Sequence, residues 1–220
     1  MIGIINAVRN GLQWKDAPKH YGHQNTLCNR FIQWRWLAVF DRMFASLVGE
    51  GPRPERIMID APHLKAHWIA VSLLKKGMFP RRIGRTKGGL SSKLHFVCDG
   101  DGRPLALPLS KGQLSDHTGE KLLYPSLPIA DTLIPHKRYD SDELREALGP
   151  RNIEAYITPK HNRKVQHAFD RQLYKAHHKI ENMFGRLKDR RRISTRYYRC
   201  AHTFLSAFSV AATCVLFLNQ

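Results

Sequence analysis

Residues 174–192 read YKAHHKIENMFGRLKDRRR, an acid at Glu181 set inside a long run of bases. Placed on a helix, Ile180, Met183, Phe184 and Leu187 recur every three or four residues and form one apolar face. Tyr174, His177, Glu181 and Lys188 follow a similar stride beside it. The spacing therefore predicts one amphipathic helix over the whole stretch, with Glu181 near the boundary between core and water. A carboxylate held there in a basic surround needs either an ion-pair partner, for which Lys188 and Lys179 are at hand, or a metal ion.

The composition frames that choice. A chain of 220 residues with 42% hydrophobic content can bury a core of ordinary size plus a smaller appendage. Lys and Arg total 36 against 18 Asp and Glu, a net charge of +18 that calls for a polyanionic partner. The bases are spread among aromatic and polar residues in several segments, without a single basic amphipathic helix or a lipidation signal, which favours nucleic acid over a membrane. Cys28, Cys98, Cys200 and Cys214 are far apart and lack the close pairing of zinc or redox motifs, so they read as reduced and mostly buried. The start has no secretory pattern, and the longest apolar run, near 204–218, is interrupted by Ser206, Ser209 and Thr213, which predicts a cytoplasmic protein.

Residues 1–50 read as a helical N-terminal domain. Ile4, Ile5, Val8 and Leu12 have helical spacing, a loop follows around Pro18, and a second helix is expected from Thr26 to Val48 behind an Asn25–Thr26 cap. This unit resembles a DNA-reading helix-turn-helix loosely, with a helical lid as the alternative. The first helical pattern starts without a capping residue, which suggests that a segment precedes it. Gly49 to Pro54 is a linker by composition, and the second domain runs over 55–220. There Ile57, Met58 and Ile59 form a buried strand that ends in Asp60, either a carboxylate delivered to a site or a turn residue. Lys75 to Leu90 is Gly-rich and basic, a loop suited to phosphate, and Asp99-Gly100-Asp101-Gly102 signals a hairpin. A helix start at Ser115, a strand at Thr132–Pro135, a helix from about Ser141, a strand over Ile153–Thr158 and a last apolar helix over His202–Leu218 complete a mixed α/β order. In that order Asp60 and Glu181 can meet at one sheet edge, and two carboxylates suit a pair of Mg²⁺ or Mn²⁺ ions ~3.5 to 4 Å apart.

The segments GLQWKDAP, MIDAPHLKAH, GRTKGGLSSKLHFVCDGDGRPL and YKAHHKIENMFGRLKDRRRISTRY resemble the DDE transposases of bacterial insertion sequences, in the insertion-sequence-five group with its insertion-sequence-four-like transposase domain. The resemblance runs through nearly the whole chain and implies an RNase H-like mixed sheet flanked by helices. The family's signature of Tyr, Arg, Glu and Lys at fixed spacing falls on Tyr174, His177, Glu181 and Lys188. By that resemblance Asp60 is the first catalytic carboxylate and Glu181 the third, both also metal ligands, while Tyr174 and Lys188 contact DNA near the cleaved phosphate. Two positions depart from the pattern. His177 stands where the family has Arg, and lacks the fixed fork and permanent charge of a guanidinium. His136 stands at the second catalytic Asp, with Arg138 at the following glycine. Asp140 then reads as the cap of the next helix, with Glu143 three residues on.

Two functions follow. One is a metal-dependent transposase that cleaves element ends in double-stranded DNA and joins them to a target, consistent with a homodimer on the DNA. The other is a catalytically impaired DNA-binding remnant of such an enzyme, a decayed or misread copy. Either way Arg82, Arg85, Lys87, His177, Arg186, Arg190, Arg191 and Arg192 are expected against phosphates.

Overall fold

The computed structural model describes residues 1–72, 80–159 and 170–217. Three helices come first: α1 (Ile2–Arg9), α2 (Gln24–Trp36) and α3 (Val39–Gly49). Then follow β1 (Arg56–Asp60), β2 (His63–Ala66), α4 (Trp68–Val71), β3 (Gly84–Thr86), β4 (Gly89–Leu94), β5 (Phe96–Asp99), β6 (Pro104–Ala106) and β7 (Leu109–Lys111). The second half carries α5 (Asp116–Leu123), β8 (Thr132–Pro135), α6 (Asp142–Leu148), β9 (Glu154–Ala155), α7 (Arg171–Lys175), α8 (His178–Lys188), α9 (Arg191–Ser194), β10 (Thr195–Arg196) and α10 (Ala201–Phe217).

The main sheet has the order β6-β5-β1-β8-β9. β5 and β6 run antiparallel as the hairpin, β1 is antiparallel to β5, and β8 and β9 are parallel to β1. This is the RNase H-like arrangement of a mixed sheet. Alternation along β1 divides the core into two layers, because successive side chains of a strand point to opposite faces. Met58, with Phe96, Cys98 and Ile134, packs under α8, α10 and the N-terminal helices. Ile57 and Ile59, with Val97 and Leu133, pack under α5 and α6 through Leu123, Leu144 and Leu148. The sheet is therefore covered on both faces, which is why the strand reads as an unbroken apolar run. Residues 1–50 share the first of these layers: Ile4, Val8, Phe31, Phe40 and Phe44 lie in one cluster with Phe204 and Phe208 of α10.

A second, smaller sheet has the order β10-β2-β4-β3, with β7 also on β4. Of the segment 75–90, expected as a loop, residues 84–90 form the β3–β4 hairpin, 80–83 have no regular structure, and 75–79 lie outside the described residues. Arg196 explains how this sheet is tied down. Its side chain is fully buried and donates to the carbonyls of Tyr198 (2.9 Å) and Arg199 (3.3 Å) and to the Ser92 hydroxyl (2.6 Å), with its guanidinium 5.2 Å over the Phe204 ring.

Several local expectations are corrected. The helix over Thr26–Val48 is two helices, capped by the His23 ring rather than by Asn25 or Thr26 and broken at Ala38, which adopts a left-handed conformation (φ 50°). The break lets Phe31 and Phe40 meet at 5.4 Å. The stretch Tyr174–Arg192 is three helices rather than one. Asp170 caps α7 by accepting from the Gln172 and Leu173 amides, and His177 then turns inward to be buried against β1. A second break at Arg190 lets Ile193 be fully buried. Ser141, not Asp140, caps α6, accepting from the Leu144 amide at 3.1 Å, while Asp140 is buried and pairs with Arg145 at 3.3 Å. The strand expected over Ile153–Thr158 is ordered as β9 over two residues only.

Candidate active site

The C-terminal ends of β1 and β8 build the site. Their parallel register pairs Ile59 with Pro135, and the His136 amide donates to the Ile59 carbonyl at 3.1 Å. His136 therefore follows Pro135 on the strand end next to that of Asp60. Asp60 is half-buried and its Oδ1 accepts from the Ala61 amide at 2.7 Å, which fixes the carboxylate at the end of the strand.

α8 supplies the next group. Ile180, Met183, Phe184 and Leu187 are all buried, and Phe184 meets Phe96 edge-on at 6.4 Å. Lys179 clamps the helix to the β5–β6 turn, donating to the Gly100 carbonyl (2.8 Å) and approaching Asp101 (3.5 Å). Gly102 is required in that turn, since its φ is +83° and a Cβ there would stand 3.1 Å from the Lys179 carbonyl. With Lys179 engaged there and the Lys188 ammonium 4.6 Å over the Phe184 ring, neither base pairs with Glu181. Glu181 is exposed on the free face of α8, so the ion-pair reading of this acid is not realised.

His177 joins the two parts. Its ring is buried, lies 5.4 Å from Tyr174 in a near-parallel stack (13°) and 5.8 Å from His136, and its Nε2 is 3.4 Å from the Ile59 carbonyl. Burial pushes the His136 imidazole below its ordinary value against the pull of Asp60, with Arg138, His177 and Lys137 acting in the same downward sense. Burial also raises the Tyr174 phenol, and the carboxylates of Glu181 and Asp60 raise it further. Both acids thus lie within electrostatic reach of one hydroxyl. Asp60, His136 and the trio Tyr174, His177 and Glu181 are brought to one edge by three pieces of chain: the end of β1, the end of β8 and the α7–α8 segment.

The expected metal finds a poor donor set. Among the described residues no three of His, Cys, Asp and Glu are grouped so as to hold one ion. Two carboxylates and a neutral imidazole do not suit a pair of hard Mg²⁺ ions, which want oxygen ligands and negative charge.

The bases divide by what their side chains already do. Arg85, Lys87, Arg186, Lys188 and Arg191 are exposed. Arg82 donates to the Leu109 carbonyl (2.7 Å), Arg190 to the Arg186 carbonyl (2.8 Å) and Arg192 to the Leu12 carbonyl (2.9 Å), so each offers only part of its guanidinium. Arg196 offers none. Sequence reasoning missed a buried charged group on the second sheet, where β2 pairs with β4. Lys93 is buried, pairs with Asp116 at 2.6 Å and acts on His63, whose ring is lowered first by burial and then by Lys93, with Asp116 opposing and Arg138 adding to the fall. The segments PHLKAH and SSKLHF hold His63 and Lys93, but nothing in their spacing marks a buried lysine.

A family model described as Transposase DDE domain matches residues 134–218, from the end of β8 through α10. A protein of Brucella ovis named as a transposase for insertion sequence element IS6501 is 30% identical over 128 residues, covering 57% of this chain and 98% of the relative. Among solved structures, the Mos1 strand transfer complex aligns over 74% of this chain and 68% of its own at 11% identity, with a TM-score of 0.32. The Mos1 paired-end complex with the left transposon end aligns over 83% and 76% at 10% identity, with a TM-score of 0.30. No helix among the described residues is long and apolar enough to cross a membrane.

Proposed function

The chain belongs to the DDE transposases of insertion sequences, and from that premise we propose that it binds double-stranded DNA and holds an element end at the β1 and β8 strand ends, with strand cleavage impaired at His136. The observation that carries this reading is the placement of His136 beside Asp60, one strand over in parallel register. Asp60 and Glu181 supply the negative charge of the edge. His136, held below its ordinary value, is a neutral ring at physiological pH and supplies none.

The chemistry assigned to that edge is cleavage of element ends followed by strand transfer. Tyr174 stays a protonated phenol at neutral pH, so it donates a hydrogen bond to a phosphate oxygen rather than repelling it. Lys188 and Arg186, exposed on the last turn of α8, bring positive charge to the same phosphate, while Arg85, Lys87, Arg191 and the partly engaged Arg82, Arg190 and Arg192 hold the flanking backbone. His177, buried and stacked, positions Tyr174 instead of forking a phosphate as the family's Arg would. A homodimer would bring two element ends together. Divalent ions serve the family, but the His136 edge does not fit an ion pair, and DNA binding here rests on the chain's own bases.

The test is the affinity of the protein for a labelled generic duplex across a salt series. Each neutralised phosphate adds ~0.9 to the slope of log affinity against log salt, so a slope magnitude of several is expected. A magnitude near one removes the DNA-binding reading.

A further inference from the structure

On the second sheet, where β2 and β10 end, lies a row of planar groups that the reaction edge does not use. Trp68, at the start of α4, is 68% exposed, an unusual state for so large an aromatic. His67 lies 5.6 Å from Trp68 and stacks on Tyr197 at 4.6 Å and 30°. The Arg192 guanidinium stands 5.8 Å from the Tyr197 ring. Beside this row opens a groove of about 200 Å³ lined by Gly11, Gln13, Ile69, Arg191, Arg192 and Tyr197, with no acid among them. Arg199 borders it, donating to the Ile69 carbonyl at 3.3 Å.

The groove is smaller than the ~300 to 1,000 Å³ of sites for drug-sized ligands, so it suits one flat ring system. Its chemistry is an aromatic and aliphatic wall with cations at the rim. Duplex DNA cannot use the wall, since its base faces are stacked inside the helix and only phosphates and groove edges are presented. An unpaired strand can use both, because each base offers a π-face to an aromatic and each phosphate a charge to Arg. An acidic protein partner would satisfy the arginines and leave Trp68 and the groove without a planar occupant.

We propose that this groove binds single-stranded DNA, stacking unpaired bases on Tyr197 and Trp68 with Arg191, Arg192 and Arg199 against the flanking phosphates. It shares Arg191 and Arg192 with the duplex contacts proposed above but none of its aromatic groups, so Trp68 separates the two, and it stands whether or not the Asp60 edge cleaves DNA.

The test uses the full chain and fluorescence anisotropy with a labelled oligo-dT, the same length of generic duplex, an RNA oligonucleotide and free nucleoside monophosphate as competitor. Trp68→Ala should weaken oligo-dT binding by about tenfold or more, the loss expected for one stacked base, while Trp68→Phe should stay within about threefold of wild type. Duplex affinity should be the same in all three proteins, and the monophosphate should compete only at far higher concentration than oligo-dT. Because Trp68 is exposed, the variants should melt with wild type, which checks folding directly. Unchanged oligo-dT binding in Trp68→Ala, or an equal loss for duplex and single strand, overturns the proposal. Preference for RNA, or competition by the monophosphate at the level of oligo-dT, also overturns it in favour of those ligands. Loss of duplex binding in wild type bears on the proposed function alone.

Discussion

Replacing Arg196 with Met should destabilise the protein without touching its contact with DNA. The buried guanidinium is held by the carbonyls of Tyr198 and Arg199 and by the Ser92 hydroxyl, joining β4, the chain after β10 and, through the Phe204 ring, α10. Burial lowers its pKa to about 10, so it remains charged at neutral pH. Methionine fills similar length but withdraws the donor from the Tyr198 and Arg199 carbonyls and from the Ser92 hydroxyl, which keeps its bond to the Arg82 carbonyl, and a donor lost in the interior costs ~1 to 3 kcal/mol. Part of that cost is offset because a charge is no longer desolvated, a term of several kcal/mol. The net loss expected is about 3 kcal/mol. With a urea dependence near the upper end of ~1 to 3 kcal/mol per molar, the unfolding midpoint should fall by about 1 M. Urea unfolding followed by circular dichroism measures this, and a salt series on a labelled duplex accompanies it. The slope of log affinity against log salt should be unchanged, because Arg196 reaches no phosphate. A midpoint within about 0.2 M of wild type together with a slope reduced by ~0.9 would refute the reasoning and return Arg196 to the DNA-contacting bases.

Acid should weaken the fold through His95, which is fully buried, bonded by Nε2 to Ser110 at 2.8 Å and lowered to about 4 first by burial and then by Lys93. Its folded value lies below its unfolded value of ~6.5, so stability is complete above that pH and falls toward pH 4 by roughly 3 kcal/mol. Comparing urea midpoints at neutral and acid pH should show a smaller fall in His95→Gln, and an identical fall in both proteins would contradict this. Mutating Arg190, Arg191 and Arg192 together to Ala should weaken all duplex sequences alike, and the salt slope should drop by nearer one contact (~0.9) than three, since Arg190 and Arg192 already serve carbonyls; a drop near three contacts, or a loss confined to some sequences, would count against it. Millimolar Mg²⁺ should leave the melting temperature of the wild type unchanged and raise that of His136→Asp, as ion binding stabilises only a folded site. An equal rise in both would show that His136 does not limit the ion.

The sequence shows the parts of the fold that are locally encoded. The apolar run 57–59 ending in Asp60, the turn at Asp99–Gly102 and the strand Thr132–Pro135 appear where their patterns place them, and so does the buried face of α8. The small sheet was not legible because Ser91, Ser92 and Lys93 are buried by pairing with β2, β3 and β7, contacts between strands that no local pattern encodes. None of the three helix breaks carries a glycine or proline. Ala38 turns because Phe31 and Phe40 must meet, and His177 because its ring packs against β1, so both are consequences of tertiary packing. At the site, the spacing of Tyr174, His177, Glu181 and Lys188 was plain, but the release of Glu181 from its two neighbouring lysines depends on the Gly100 carbonyl and the Phe184 ring, which spacing does not reveal.

The most direct measurement is end cleavage of labelled duplex, carrying the terminal sequence of the element, by wild type and by His136→Asp combined with Arg138→Gly, each with Mg²⁺ and with Mn²⁺. If His136 occupies the place of the second acid, wild type cleaves little or not at all with Mg²⁺, and the double variant gains activity by orders of magnitude, since a carboxylate restores oxygen ligation and charge beside Asp60. Wild-type cleavage with Mg²⁺ that the substitutions leave unchanged would contradict the assignment of His136 and, with it, the reading of this edge.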